Sequence, residues 1–253
     1  VTDAAGENPE PAEAPVSYEI AEEGIAVMRL QRGGARNAIN TRMLEEMLAA
    51  VGRARDDDGV RVLVLSSDDQ LGFSAGADVR EDLDDEGRVR RMQLFADLYN
   101  ELTGFPKPTI AACHGDVVGG GAEIAVACDM RVGGSNLRMR FPGGALGVPV
   151  GPARLVTLCG LAAAKYLLLS ARTVAADEAL RLGLVNRVAP AAATEEQALA
   201  LAADVAAHPP ESLARLKRML HEHDGVVERS AEEGRGQVKW ERSGPGLPDE
   251  RRP

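Results

Sequence analysis

Basic residues are in deficit in this 253-residue chain: 29 Lys and Arg stand against 39 Asp and Glu, a formal net charge of −10. That balance argues against nucleic acid as a partner, because phosphate binding needs a basic surface. A phosphorylated small molecule needs only a local patch of Arg and Lys and stays open. Long apolar runs are lacking too, with none approaching the roughly 20 residues of a membrane span. The first residues have neither the basic start nor the apolar core of a secretory leader, so a cytoplasmic protein with no membrane partner is expected. Cysteine is scarce, and Cys113, Cys128 and Cys159 are odd in number and set within apolar segments. Buried free thiols in a reducing compartment are expected, rather than disulfides or a redox centre. Aromatic residues make up 3% of the chain, and Trp240 has few others near it, which suits packing better than recognition.

With 45% hydrophobic residues the chain can bury one substantial core. Residues 1–16 carry Asp3, Glu7, Glu10 and Glu13 among Pro9, Pro11 and Pro15, with almost no bulky apolar groups, and read as a flexible acidic tail. Strands are expected over Gly24–Leu30 and Val60–Leu65, the second nearly all apolar as befits a strand covered on both faces. Asn40 or Thr41 caps a helix whose Met43, Leu44, Met47, Leu48 and Val51 share a face. Further strands are expected at Thr109–Cys113, Met130–Val132 and Leu137–Phe141. The last third is helical over Ala164–Leu169, Asp177–Leu182, Glu195–Ala207 and Ser212–His223. Strand–helix alternation followed by helices indicates an α/β core over residues 17–190 and a helical region over 191–253.

Two glycine turns carry the chemistry. Ala75-Gly76-Ala77-Asp78 and Gly119-Gly120-Gly121-Ala122-Glu123 each follow an apolar run and open a candidate helix. Bare N–H groups point outward from such turns, and a helix N-terminus favours developing negative charge. Two of them converging on one point would form an oxyanion hole for an enolate, with Glu123 one turn into the second helix to move the proton. An enclosed site raises the pKa of Glu123, while the helix N-terminus pulls it down. Close packing of a helix on a sheet is the competing account of the triplet.

Taken with Arg36-Asn37-Ala38-Ile39-Asn40, Lys107-Pro108-Thr109-Ile110-Ala111-Ala112, His114-Gly115, Ala127-Cys128-Asp129-Met130-Arg131, Ala176-Asp177-Glu178-Ala179 and Gly183-Leu184-Val185, these turns resemble the crotonase (enoyl-CoA hydratase/isomerase) superfamily from about Tyr18 to Asp224. Each motif is weak alone; their order and spacing make the likeness specific. The resemblance implies a spiral of ββα units forming two roughly perpendicular sheets, with C-terminal helices that drive assembly into a homotrimer or a dimer of trimers. It also implies an acyl-CoA thioester substrate, with CoA as part of the substrate and no separate cofactor. The thioester oxygen would accept from the backbone N–H groups of Ala77 and Gly120. Glu123 would be the acid/base, and CoA would run past Arg36, Ala38, Ala75 and Asp78. Donors aimed at an enolate oxygen are worth roughly 3–4 kcal/mol of barrier each in comparable sites. The acyl pocket would come from the Glu81–Leu102 region and the late helices.

The chain departs from that pattern after Pro142, where hydratases of the family carry a second glutamate and this sequence has Gly143. Hydration by Glu123 alone, double-bond isomerisation with Glu123 as single base, and acyl-CoA binding with little turnover all fit. Arg138 and Arg140 share a strand face and could meet solvent, a substrate carboxylate or a CoA phosphate. Asp116 reads as a turn cap or a second proton-handling group. The chain after Trp240 lacks the Phe-rich basic final helix of many relatives. Gly72-Phe73-Ser74-Ala75-Gly76 fits a nucleophile elbow, but Ser66–Leu71 separates it from the preceding strand and no histidine is placed beside Ser74. His221-Glu222-His223 lacks the spacing of a metal site on one helix face, so no metal is expected. Arg215, Lys217 and Arg218 read as a solvated face.

Overall fold

The structure is a computed structural model describing residues 14–244 and 246–247. Most of the expected acidic tail therefore lies outside the described residues. The chain opens with β1 (Val16–Ile20) and β2 (Ile25–Leu30), an antiparallel pair, and then α1 (Thr41–Asp56). Of the two candidate caps for α1, Asn40 serves: its side chain accepts from Met43 N–H at 3.0 Å.

Three strand–strand–helix units follow. They are β3 (Val62–Ser67), β4 (Gly72–Ser74) and α2 (Asp85–Thr103), then β5 (Thr109–Cys113), β6 (Asp116–Val118) and α3 (Gly120–Ala127). The third is β7 (Met130–Gly134), β8 (Arg138–Arg140) and the short α4 (Gly143–Leu146). In each unit the first strand enters one sheet and the second enters the other. The larger sheet has the order β1-β2-β3-β5-β7-β10 and the smaller β4-β6-β8-β9. The chain continues with α5 (Pro152–Ser170), β9 (Thr173–Ala175), α6 (Ala176–Arg181) and β10 (Arg187–Ala189). It finishes with α7 (Thr194–Ala206), α8 (Pro210–Asp224) and α9 (Val226–Ser243).

Both faces of the larger sheet are buried, which accounts for the unbroken apolar run in β3. Met28, Leu63, Leu65, Ala111 and Cys113 face the main core, where Met43, Leu44 and Met47 of α1 pack. On the reverse face Val27, Val62, Val64, Ile110 and Ala112 meet Ala198, Ala202 and Ala206, a stripe of small side chains four apart on α7. Cys113 and Cys128 are buried free thiols, and burial pushes both up to about 12.

Several elements differ from expectation. The Ala75–Asp78 turn opens no helix, since α2 starts only at Asp85. The helix expected at Ala164–Leu169 begins at Pro152 and is broken at Gly160, whose φ of 77° interrupts it. It is also long and apolar enough to cross a membrane by composition. Two helices escaped the periodicity, α2 with its acidic, basic-rich first half and α9 with its charges and two glycines. Lys217, expected on a solvated face, is buried: it donates to Asp129 Oδ2 at 2.7 Å and to Lys107 O at 2.9 Å. Desolvating an ammonium requires such a partner.

Candidate active site

The two glycine turns meet. Ala77 bridges Ile39, while Gly119 has φ 52° and ψ −121° and so turns the chain from β6 into α3 as only glycine does readily. A Cβ on Gly76 would stand 2.8 Å from Val118 O and 3.4 Å from Gly120 N, so the turns touch at their backbones. Within the described residues, the N–H groups of Ala77 and Gly120 find no acceptor. Gly121 has the packing role instead, since a Cβ there would come within 2.6 Å of Ser74 Cβ. The triplet thus combines close packing at one glycine with open donors at another.

A cavity of about 310 Å³ lies against these amides. Ala75, Gly76, Ala77, Gly119 and Gly120 form one wall, and Met92, Phe95 and Tyr99 of α2 another. Arg140, Gly143, Val148, Val150, Gln237 and Leu247 are among the remaining lining residues. Phe95 and Tyr99 abut Gly120 closely: a Cβ there would fall 2.7 Å from Phe95 Cε1 and 3.4 Å from Tyr99 Oη. Burial holds the Tyr99 phenol protonated, well above its ordinary range, and the charge of Glu123 acts in the same direction. No carboxylate among the described residues lines the cavity.

Glu123 is buried one step behind the wall. Its Oε2 accepts from Arg154 Nη2 at 2.8 Å and Nε at 3.2 Å, and its Oε1 lies 2.8 Å from the position of a Cβ on Gly151. Val150, next along the chain, faces the cavity. Arg154 also donates to Glu233 at 2.7 Å and to Ser230 at 3.0 Å, and its guanidinium lies 4.9 Å from the Tyr99 ring centre. Glu233 in turn accepts the Gly151 and Ala153 N–H groups at the start of α5. Burial pushes the Glu123 carboxyl up to about 7, against the pull of Arg154 and with the aid of Glu233. A group poised there exchanges protons at neutral pH. Sequence reasoning missed Arg154, Glu233, Tyr99 and Gln237. None sits in a glycine turn, and only the packing of α2, α5 and α9 gathers them.

Gly143 has no room for a side chain: a Cβ would stand 2.8 Å from Val148 O and 3.1 Å from Val150 Cγ1. The other candidates cluster near the first turn. Ala75 lines the cavity. Asp78 accepts from Arg32 Nη1 at 2.6 Å, and the same nitrogen donates to Ala38 O at 2.7 Å. Arg36 adopts φ 55° and pairs with Asp116, which also meets Arg138 at 3.6 Å. Asp116 is therefore an ion-pair partner rather than a turn cap. Arg140 reaches the cavity while its Nε donates to Ala171 O at 2.7 Å. Ser74 is buried and donates to Asn37 O at 2.7 Å, which leaves the nucleophile-elbow motif without an exposed nucleophile. Among the described residues there is no cluster of metal-ligating side chains.

Residues 20–237 match the family model described as enoyl-CoA hydratase/isomerase. The short-chain-enoyl-CoA hydratase of Clostridium acetobutylicum is 39% identical over 65% of this chain and 65% of its own length. This chain thus spans just under two thirds of that relative. The 2,3-dehydroadipyl-CoA hydratase of Escherichia coli is 32% identical over 80% of each. Among solved structures, an enoyl-CoA hydratase/isomerase from Xanthobacter autotrophicus superposes with a TM-score of 0.81 at 28% identity, covering 93% of this chain and 89% of that one. Paired sheets built from repeated strand–strand–helix units, two open amides at one cavity and these likenesses agree: the chain belongs to the enoyl-CoA hydratase/isomerase family, within the crotonase superfamily.

Proposed function

We propose that this protein catalyses reversible addition of water to a 2-enoyl-CoA through a thioester enolate. The observation that carries it is the pair of unengaged amides, Ala77 and Gly120, at the wall of an apolar cavity with an acid of pKa about 7 behind that wall. The amides form the oxyanion hole. Water oxygen bonds to C3, the double-bond electrons move onto the thioester oxygen, and the water proton passes to ionised Glu123. The same proton then returns to C2 as the carbonyl re-forms. Glu123 swings from Arg154 past Gly151, where a Cβ would stand 2.8 Å from its Oε1 and obstruct it. CoA lies along Arg36, Ala38, Ala75 and Asp78 as part of the substrate, with no separate cofactor. The working form is a cytoplasmic homotrimer or dimer of trimers.

A second reading, enoyl-CoA isomerisation, is favoured by the crowding at Gly143, which leaves one carboxylate where a two-carboxylate hydration needs a pair. An isomerase moves one proton along the chain with a single base. Incubation with 2-enoyl- and 3-enoyl-CoA esters in heavy-oxygen water separates them. Oxygen incorporation supports hydration, and bond migration without incorporation supports isomerisation. Neither outcome leaves a binder and sinks both.

A further inference from the structure

Gln237 is the side chain of this cavity that the chemistry above does not use. It projects from α9, is 2% exposed, and lines the cavity, yet its Oε1 has no hydrogen-bond partner among the described residues. A buried carboxamide without partners is uncommon, because folding removes its water and returns nothing. It can turn about its last torsion to offer either an acceptor or a donor.

Its place along the cavity follows from how α9 lies on α2. Gly234 packs against Ala96 and Asn100, and Glu241 approaches Arg88 at 3.8 Å. Gln237, between them, is level with the Met92 turn. Phe95, whose ring abuts Gly120, follows Met92 by less than one turn, so Gln237 stands on the same α2–α9 wall as the aromatic rings beside the donor turn. The amide therefore opens on the cavity in which the acyl chain would lie. Arg140, the one Lys or Arg on the described wall, joins Gly119 through its own carbonyl and has its Nε engaged by Ala171 O. A carboxylate beside Gln237 would be desolvated without a counter-charge, whereas a neutral oxygen would satisfy the amide.

We propose that Gln237 is a specificity-determining residue that hydrogen-bonds an uncharged oxygen on the acyl chain, so the cavity selects acyl-CoA esters that carry a hydroxyl or keto group there. The proposal rests on the CoA-thioester reading above. The test compares 2-octenoyl-CoA with its C4- to C8-hydroxylated forms and with the terminal carboxylate, using wild type and Gln237→Leu. At least one hydroxylated ester is expected to exceed 2-octenoyl-CoA by tenfold or more in kcat/KM, with that ratio collapsing toward one in Gln237→Leu. Equal ratios in the two proteins, no hydroxyl preference, or preference for the carboxylate overturn the proposal. Should Gln237→Leu fail to fold, Gln237→Met supplies the same comparison. If wild type turns over none of these esters, the hydration reading falls separately. Calorimetric Kd values for the C4- to C8-hydroxylated octanoyl-CoA esters and octanoyl-CoA then decide on Gln237, and equal affinity throughout or no binding overturns it.

Discussion

Glu123 is subject to opposing pulls: burial raises its pKa, and the Arg154 guanidinium at 2.8 Å lowers it, with burial prevailing at about 7. Its folded value lies above the ordinary glutamate value of 4.5, so the native state holds this proton more tightly than the unfolded chain does. The resulting stabilisation is complete below pH 4.5 and is lost as pH rises through 7. Glu123→Gln should flatten the melting temperature over that window. The same change should lower kcat about 100-fold or more and remove the limb of the pH–rate profile near 7. An unchanged rate would remove Glu123 from the chemistry. The GGGAE spacing made this side chain legible in the sequence. Its ion pair was not, because Arg154 is 31 positions away and on another helix.

At the scale of elements, α2 and α9 form the far wall of the cavity and meet through Gly234, where a Cβ would stand 3.1 Å from Ala96 Cβ. Gly234→Val should wedge them apart, costing about 1–3 kcal/mol and lowering the melting point by roughly 2–4 °C per kcal/mol. KM should rise with it, since Met92, Phe95 and Gln237 line the pocket from these helices. A melt and a KM both equal to wild type would show the contact to be slack. The strands were easier to read than these helices. A run such as Val62 to Leu65, buried on both faces, declares itself by composition. In α9, Gly234, Gly236 and eight acidic or basic side chains hide the periodicity, and only the small residue opposite on α2 explains why glycine is there.

The whole molecule leaves large apolar side chains in water on α5 and α8: Leu169 is 80% exposed, Leu220 67%, Leu161 57% and Leu216 56%. Such patches are characteristic of association surfaces. They support the proposed homotrimer, and they give the apolar α5 helix an alternative to lipid. Leu216→Asp with Leu220→Asp should reduce the mass measured by light scattering to that of one chain. A wild type that is already monomeric, or a double variant of unchanged mass, would defeat the assembly reading.

By itself the sequence determined the alternation of strands and helices, the two donor turns and the acid one turn beyond the second. These are local: each depends on glycine conformations, apolar runs and spacings within a few residues. The tertiary structure decided what surrounds them. Burial between α3, α5 and α9 placed Glu123 against Arg154 behind the cavity wall. The Val148–Val150 loop took the space beside Gly143, and α9 brought an unpaired amide to the cavity wall. Those outcomes depend on side chains tens to more than a hundred positions apart meeting in one desolvated volume, which no local pattern encodes.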